Sequence, residues 1–217
     1  MITKKEAEKI IDILKKEYPD PACSLSYKDP LQLLIATRLA AQCTDARVNK
    51  VTPELFKRYQ NVDDFANANI DEVEVYIKSC GFYRIKAKDI VNMCKMLKDK
   101  HNGIVPDSIE ELVKLPGVGR KTANLVVGDI YKKPAVVVDT HCMRITKRLG
   151  FHDSKNPEKI EKILKEILPE NESNDFCHRL VLHGRAVCKA ITPNCSKCSL
   201  TAYCNEFISK NKTEGLI

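Results

Sequence analysis

The chain has no long hydrophobic run. None of its 217 residues falls in a stretch of the roughly 20 apolar residues that a membrane-spanning helix needs. The opening segment, MITKKEAEKIIDILKKEY, is amphipathic and lacks the apolar centre of a secretory signal. A cytoplasmic protein with no membrane partner is therefore expected. No internal repeat or low-complexity tract is present, so a solenoid or a disordered tether is not expected. Strand signals are also scarce. Ala135–Val138 is a short β-branched run with no obvious pairing partner, and it reads as an extended buried connector.

What remains is helical. Apolar residues recur at helical spacing over Lys4–Tyr18, Pro30–Ala41, Asp71–Ser79, Ile85–His101, Ser108–Lys114, Gly119–Tyr131, Thr140–Leu149, Pro157–Leu168 and Asn174–Lys189. Pro30–Ala41 is apolar enough to be central. Thr44 and Asp45 open a further helix, which Pro53 is expected to interrupt. Hydrophobic residues make up 43% of the chain, enough for a core. The net charge of +7 suits a partner made of phosphates, although many unrelated proteins share such an excess. The chain has ten cysteines and no secretion signal. That combination points to a reducing compartment, with thiols and a metal rather than disulfides.

Four of those cysteines, Cys188, Cys195, Cys198 and Cys204, follow the spacing C-x6-C-x2-C-x5-C. Four thiolates supply the ligand count of an iron–sulfur cubane or of a closed zinc site. Zinc sites usually use two tight pairs on separate knuckles. Only Cys195 and Cys198 form such a pair here, with the outer two close by. The spacing favours one compact iron–sulfur cluster over zinc, and either over four unrelated buried thiols.

Residues 115–124 read LPGVGRKTAN. Pro116 stops the helix before it, and Gly117 and Gly119 are expected to use backbone angles closed to other residues. The unit is helix, glycine hairpin, helix. Its hairpin offers N–H groups at the positive end of a helix dipole, which is a phosphate site. An ordinary helix–helix turn is the plainer alternative. The adjacent Arg120 and Lys121 favour a nucleic-acid backbone.

Together the cysteine spacing, LPGVGRKTAN and VDTH at 138–141 resemble the endonuclease III family of helix–hairpin–helix DNA glycosylases. The likeness extends from LIATRLAAQCTDARVNK (34–50) to Cys204. It implies an all-α fold of two helical lobes. One would span 22–131 and contain the helix–hairpin–helix at about 108–131. The other would combine 1–21 with 132–217 and carry a [4Fe–4S] cluster, with hairpin and VDTH loop facing a cleft between the lobes. Sequence itself marks that boundary only by the break Lys132-Lys133-Pro134.

The resemblance implies a base-excision-repair glycosylase with AP lyase activity, acting as a monomer on damaged or abasic sites in double-stranded DNA. Lys121 aligns with the family's nucleophile. As a neutral amine it would attack C1′ and form a Schiff base, and the helix dipole and Arg120 both act against its protonation. Without the resemblance a phosphate-binding or solvated lysine is the better reading. Asp139 aligns with the catalytic aspartate, and it is equally well an N-cap for the helix that follows. His141 is expected to touch phosphate or the active site. Gln42 would fill the gap left by a flipped nucleotide, and Phe82 would wedge the stack or else be a core aromatic. Gly117, Gly119 and Arg120 would hold phosphate, with Lys189 of the cysteine loop adding charge.

Two departures from the family are visible. Relatives often carry Ser-Ala-Gln where this chain has Ala40-Ala41-Gln42, and the loop KAITPN is poor in basic residues. Lys121, and an end soon after Cys204, weigh against a monofunctional mismatch glycosylase with an extra C-terminal domain. A non-enzymatic DNA-binding module is the remaining alternative.

Overall fold

The structure is a computed structural model that describes residues 2–213. Among these, twelve α-helices and four short 3-10 turns carry the fold, and there is no strand. The helices are α1 (Lys4–Glu17), α2 (Pro30–Ala40), α3 (Asp45–Arg58), α4 (Val62–Ala66), α5 (Ile70–Ile77), α6 (Tyr83–His101), α7 (Ile109–Leu112), α8 (Arg120–Asp129), α9 (Thr140–Leu149), α10 (Pro157–Ile167), α11 (Ser173–Ala186) and α12 (Asn205–Thr213). The chain folds as two compact units. One runs from Cys23 to Lys132, and the other takes the residues up to Ala22 together with those from Lys133 on.

In the Cys23–Lys132 unit, α2 is the hub. Its Leu31, Leu33, Leu34, Ile35, Ala36 and Leu39 are all buried, on more than one face. A helix apolar nearly all round must be surrounded, and α2 packs against α3, α6 and α8. Asp29 caps it and Pro30 sits in its first turn, so its start is fixed locally.

Pro53 does not interrupt α3, which runs on to Arg58. Val48, Thr52 and Leu55 are buried on one face, before and after the proline's position. Packing of that face holds the helix together across the one backbone bond that proline cannot make.

In the other unit, α11 packs against α1 and α9, and α9 against α12. Thr3 and Glu6 form a capping box at the start of α1. The Ala135–Val137 segment is buried, with no helix or strand, and the Ala135 N–H donates to Ser173 Oγ at 3.2 Å. The connector is thus held by burial and a side-chain bond instead of a sheet ladder.

Candidate nucleic-acid interface and metal centre

The hairpin lies between α7 and α8. Leu115 and Val118 are buried and anchor it, while Gly117 and Gly119 are exposed. Gly117 has φ +74°, a left-handed conformation that suits glycine. Gly119 does not: its φ is −92°, which any residue adopts. What sets Gly119 apart is space, since a Cβ there would meet nothing within 4 Å.

Eight of the twelve α-helices have a Ser, Thr, Asn or Asp side chain bonded to their first turn. At α8 the N-cap is Gly119, which has no side chain to offer. The first-turn N–H groups of α8 are therefore uncovered by a cap, in the manner of an anion site. Arg120 and Lys121 follow directly, and both are exposed.

Lys121 has neighbours that its sequence context does not reveal. Burial pushes the Cys23 thiol up to about 11, the carboxylates of Asp129 and Asp45 add to the rise, and Lys121 opposes it. Cys23 thus feels the charge of all three, and each belongs to the same unit. Asp129 is itself buried at the end of α8. A lone aspartate after the apolar run LVVG was its only sequence signal.

Gln42 and Phe82 also come together. They line one cavity of about 200 Å³ with Arg38, Ala41, Ile85 and Lys86. Phe82 is 64% exposed, which removes the core reading. Gln42 has φ 54° and Phe82 has φ 46°, so both sit in left-handed backbone without being glycine. Such strain is held only where the surroundings enforce it, and it gathers at working sites. Lys86 is buried, and its ammonium donates to the carbonyls of Leu39 at 2.8 Å and Cys80 at 2.9 Å. Burial lowers its pKa.

In the other unit, Asp139 is the N-cap of α9, and its Oδ1 accepts from the Cys142 N–H at 2.7 Å. His141 packs against Gly184, where a Cβ would approach its Nδ1 to 2.3 Å. That nitrogen also lies 3.2 Å from Arg144 Nη2, which donates to the Cys188 carbonyl at 2.9 Å. His141 is thus built into the α9–α11 contact.

Cys188, Cys195, Cys198 and Cys204 line a single cavity of about 50 Å³. A water-sized group needs about 10–15 Å³ of such space, so the cavity has room for several atoms beyond one ion. Among the described residues, no group of three His, Cys, Asp or Glu side chains is drawn together tightly enough to hold a metal ion. The four thiols instead surround a larger space. Burial pushes the Cys198 thiol up to about 11 and raises that of Cys204, so metal must displace protons to bind.

Arg148 closes this site. It donates from Nη1 to Cys188 Sγ at 3.3 Å and to the Lys189 carbonyl at 2.8 Å, and from Nη2 to the Ala190 carbonyl at 2.9 Å. His183 Nε2 lies 3.6 Å from Cys198 Sγ. Lys189 is exposed. Sequence reading missed Arg148 because a basic residue in a helix's last turn already answers the helix dipole.

The chain is similar to known proteins along most of its length. The profile of the family described as HhH-GPD superfamily base excision DNA repair protein matches residues 35–170. The chain is 46% identical over 202 residues to Endonuclease III of Synechocystis sp., covering 93% of this chain and 92% of that one. It is also similar to a solved non-covalent Endonuclease III–DNA complex (TM-score 0.90, 45% identity, 98% of this chain and 100% of that chain). A trapped Endonuclease III–DNA covalent intermediate matches as well (TM-score 0.90, 45% identity, 97% and 99%).

Proposed function

The chain belongs to the HhH-GPD superfamily of base excision DNA repair proteins, and from that membership we infer the chemistry of its two units. The protein is a DNA glycosylase with AP lyase activity, and its partner is double-stranded DNA. We propose that it removes oxidised pyrimidines. In a prokaryotic cell it would work in the cytoplasm, at the nucleoid.

Lys121 is the proposed nucleophile. Its neutral amine attacks C1′ of the damaged nucleotide, the C1′–N bond breaks, and the base leaves with its electron pair. The amine loses a proton as the sugar opens to a Schiff base. Loss of the C2′ proton then expels the 3′ phosphate by β-elimination. Asp139 is the proposed carboxylate that stabilises positive charge on the sugar and takes up the amine's proton. Gly117, Gly119 and Arg120 would hold the phosphates that orient the strand. Lys189 would add long-range attraction, and His141 a contact near the VDTH loop.

Gln42 and Phe82 would occupy the space vacated by the flipped nucleotide. Their support is the shared cavity and the left-handed backbone of both residues.

Cys188, Cys195, Cys198 and Cys204 fit a [4Fe–4S] cluster, because four thiols of one segment surround a cavity too roomy for a single ion. The cluster, when bound, ties a loop that has little apolar content of its own.

One observation carries the enzymatic reading: an exposed lysine in the first turn of a helix left uncapped by glycine. Borohydride reduction tests it. With a duplex containing an abasic site, it should convert the Schiff base into a stable protein–DNA adduct. No adduct would leave a monofunctional glycosylase or a binding module.

A further inference from the structure

Lys86 is among the largest side chains fully buried in the protein, at 1% exposure. A buried ammonium is costly unless its charge is answered. Here it is answered by two main-chain carbonyls. One belongs to Leu39 in the last turn of α2, the other to Cys80 at the end of the 3-10 turn Lys78–Cys80. Both are helix-terminal carbonyls, which lack partners within their own helix and carry the negative end of its dipole. Lys86 therefore serves as a shared C-cap for two segments that are 41 residues apart in sequence, from Leu39 to Cys80.

The chain that leaves each segment leads at once to a residue of interest. Gln42 lies three positions after Leu39, within a turn closed by the Cys43 N–H on the Ala40 carbonyl at 3.1 Å. Phe82 lies two positions after Cys80, and its carbonyl accepts from the backbone N–H of Lys86 itself at 3.2 Å. Lys86 also lines the cavity that Gln42 and Phe82 share. One residue thus touches both approaches and one of the two strained positions.

We propose that Lys86 is a positioning residue for base extrusion: its ammonium fixes the spacing of the Gln42 and Phe82 loops so that both side chains enter the duplex at one step. The inference rests on the reading of Gln42 and Phe82 as gap-filling and wedging groups. Lys86 does not touch DNA in this scheme and takes no part in bond breaking. Replacing it with a side chain that has no N–H donor leaves two buried carbonyls unanswered and frees the two loops to drift apart. Misplacement of about 1 Å can cost about a hundredfold in rate.

The test compares Lys86→Met with the parent on the same oxidised pyrimidine in two settings, paired in duplex and opposite a one-nucleotide gap. Activity on the paired lesion should fall about ten- to a hundredfold in kcat/KM. Activity opposite the gap should change little, because extrusion there is nearly free. In a Gln42→Ala, Phe82→Ala background, Lys86→Met should add no further loss on the paired lesion. Lys86→Gln, which keeps an N–H donor, should recover part of the activity and stands in if the Met variant does not fold. Equal losses in both settings would show a merely structural strut and overturn the proposal. So would a full additional loss in the double-alanine background. The underlying reading fails separately, if Gln42→Ala and Phe82→Ala in the parent do not distinguish paired from gapped substrate.

Discussion

Gly117 leans on the guanidinium of Arg38. A Cβ at Gly117 would stand 2.7 Å from Arg38 Nε and 2.9 Å from Asp89 Oδ2. Those two side chains are themselves bonded, Arg38 Nε and Nη2 donating to Asp89 Oδ2 at 2.8 and 2.6 Å. The hairpin thus rests on an ion pair that joins α2 to α6, and Arg38 continues into the cavity of Gln42 and Phe82. One side chain serves both parts of the proposed DNA surface in this unit.

The two hairpin glycines should accordingly respond in different ways. Gly117→Ala forces a methyl into the Arg38–Asp89 pair and into left-handed backbone, at a cost of about 1–3 kcal/mol. It should lower the melting temperature and weaken duplex binding together. Gly119→Ala meets open space at an ordinary φ, so it should melt like the parent. Its methyl still stands where phosphate would approach the first turn of α8, so binding should weaken alone. Melting curves and duplex titrations on both variants decide the matter. Equal stability losses would remove the distinction.

Asp139 has a structural duty as well as the proposed chemical one, and substitution can separate them. Asn caps helices as well as Asp does, so Asp139→Asn should retain the bond to the Cys142 N–H and the parent's thermal stability. It removes the charge, and turnover should fall about a hundredfold or more. Asp139→Ala should lose both, including about 1 kcal/mol of stability. Lys121→Gln, being exposed, should melt like the parent and bind damaged duplex while yielding no borohydride adduct. An adduct formed by Lys121→Gln would assign the nucleophile to another amine.

Legibility in the sequence followed the range of the interactions. The cysteine loop and LPGVGRKTAN are local patterns, and their geometry is set within a few residues. The helices were legible for the same reason, since period and caps are local signals. Pro53 misled because burial of Val48, Thr52 and Leu55 against other helices outweighs one missing bond. Gly119 misled because a free φ and free space look identical in a sequence. Lys86 and Arg148 were invisible because each answers a distant partner, Leu39 at 47 residues and Cys188 at 40. Phe82 could be sorted into surface only once its exposure was known.

The metal centre is expected to contain iron. Protein purified without oxygen should carry about four irons per chain, one for each thiolate of the cubane. Stoichiometric zinc without iron would contradict this. Arg148→Leu removes a charged donor from Cys188 Sγ and from two loop carbonyls, each such bond being worth about 1.5–3 kcal/mol. The variant should therefore lose its visible absorbance faster under a chelator than the parent does. Equal rates would mean that the thiolates alone hold the loop.

Phe82 offers the sharpest contrast between stability and function. A phenylalanine with φ 46° is strained by about 1–2 kcal/mol. With the residue 64% exposed, packing returns little of that cost. Asn tolerates the left-handed region because its short amide bonds locally. Phe82→Asn should thus be as stable as the parent or more so, which is unusual for loss of an aromatic. The same variant should act poorly on a lesion in paired duplex, where a wedge offsets an unstacking cost of a few kcal/mol. Opposite a gap it should act normally. A drop in melting temperature would mean that the ring holds the fold through contacts of its own. Unchanged activity on the paired lesion would mean that extrusion proceeds without a wedge.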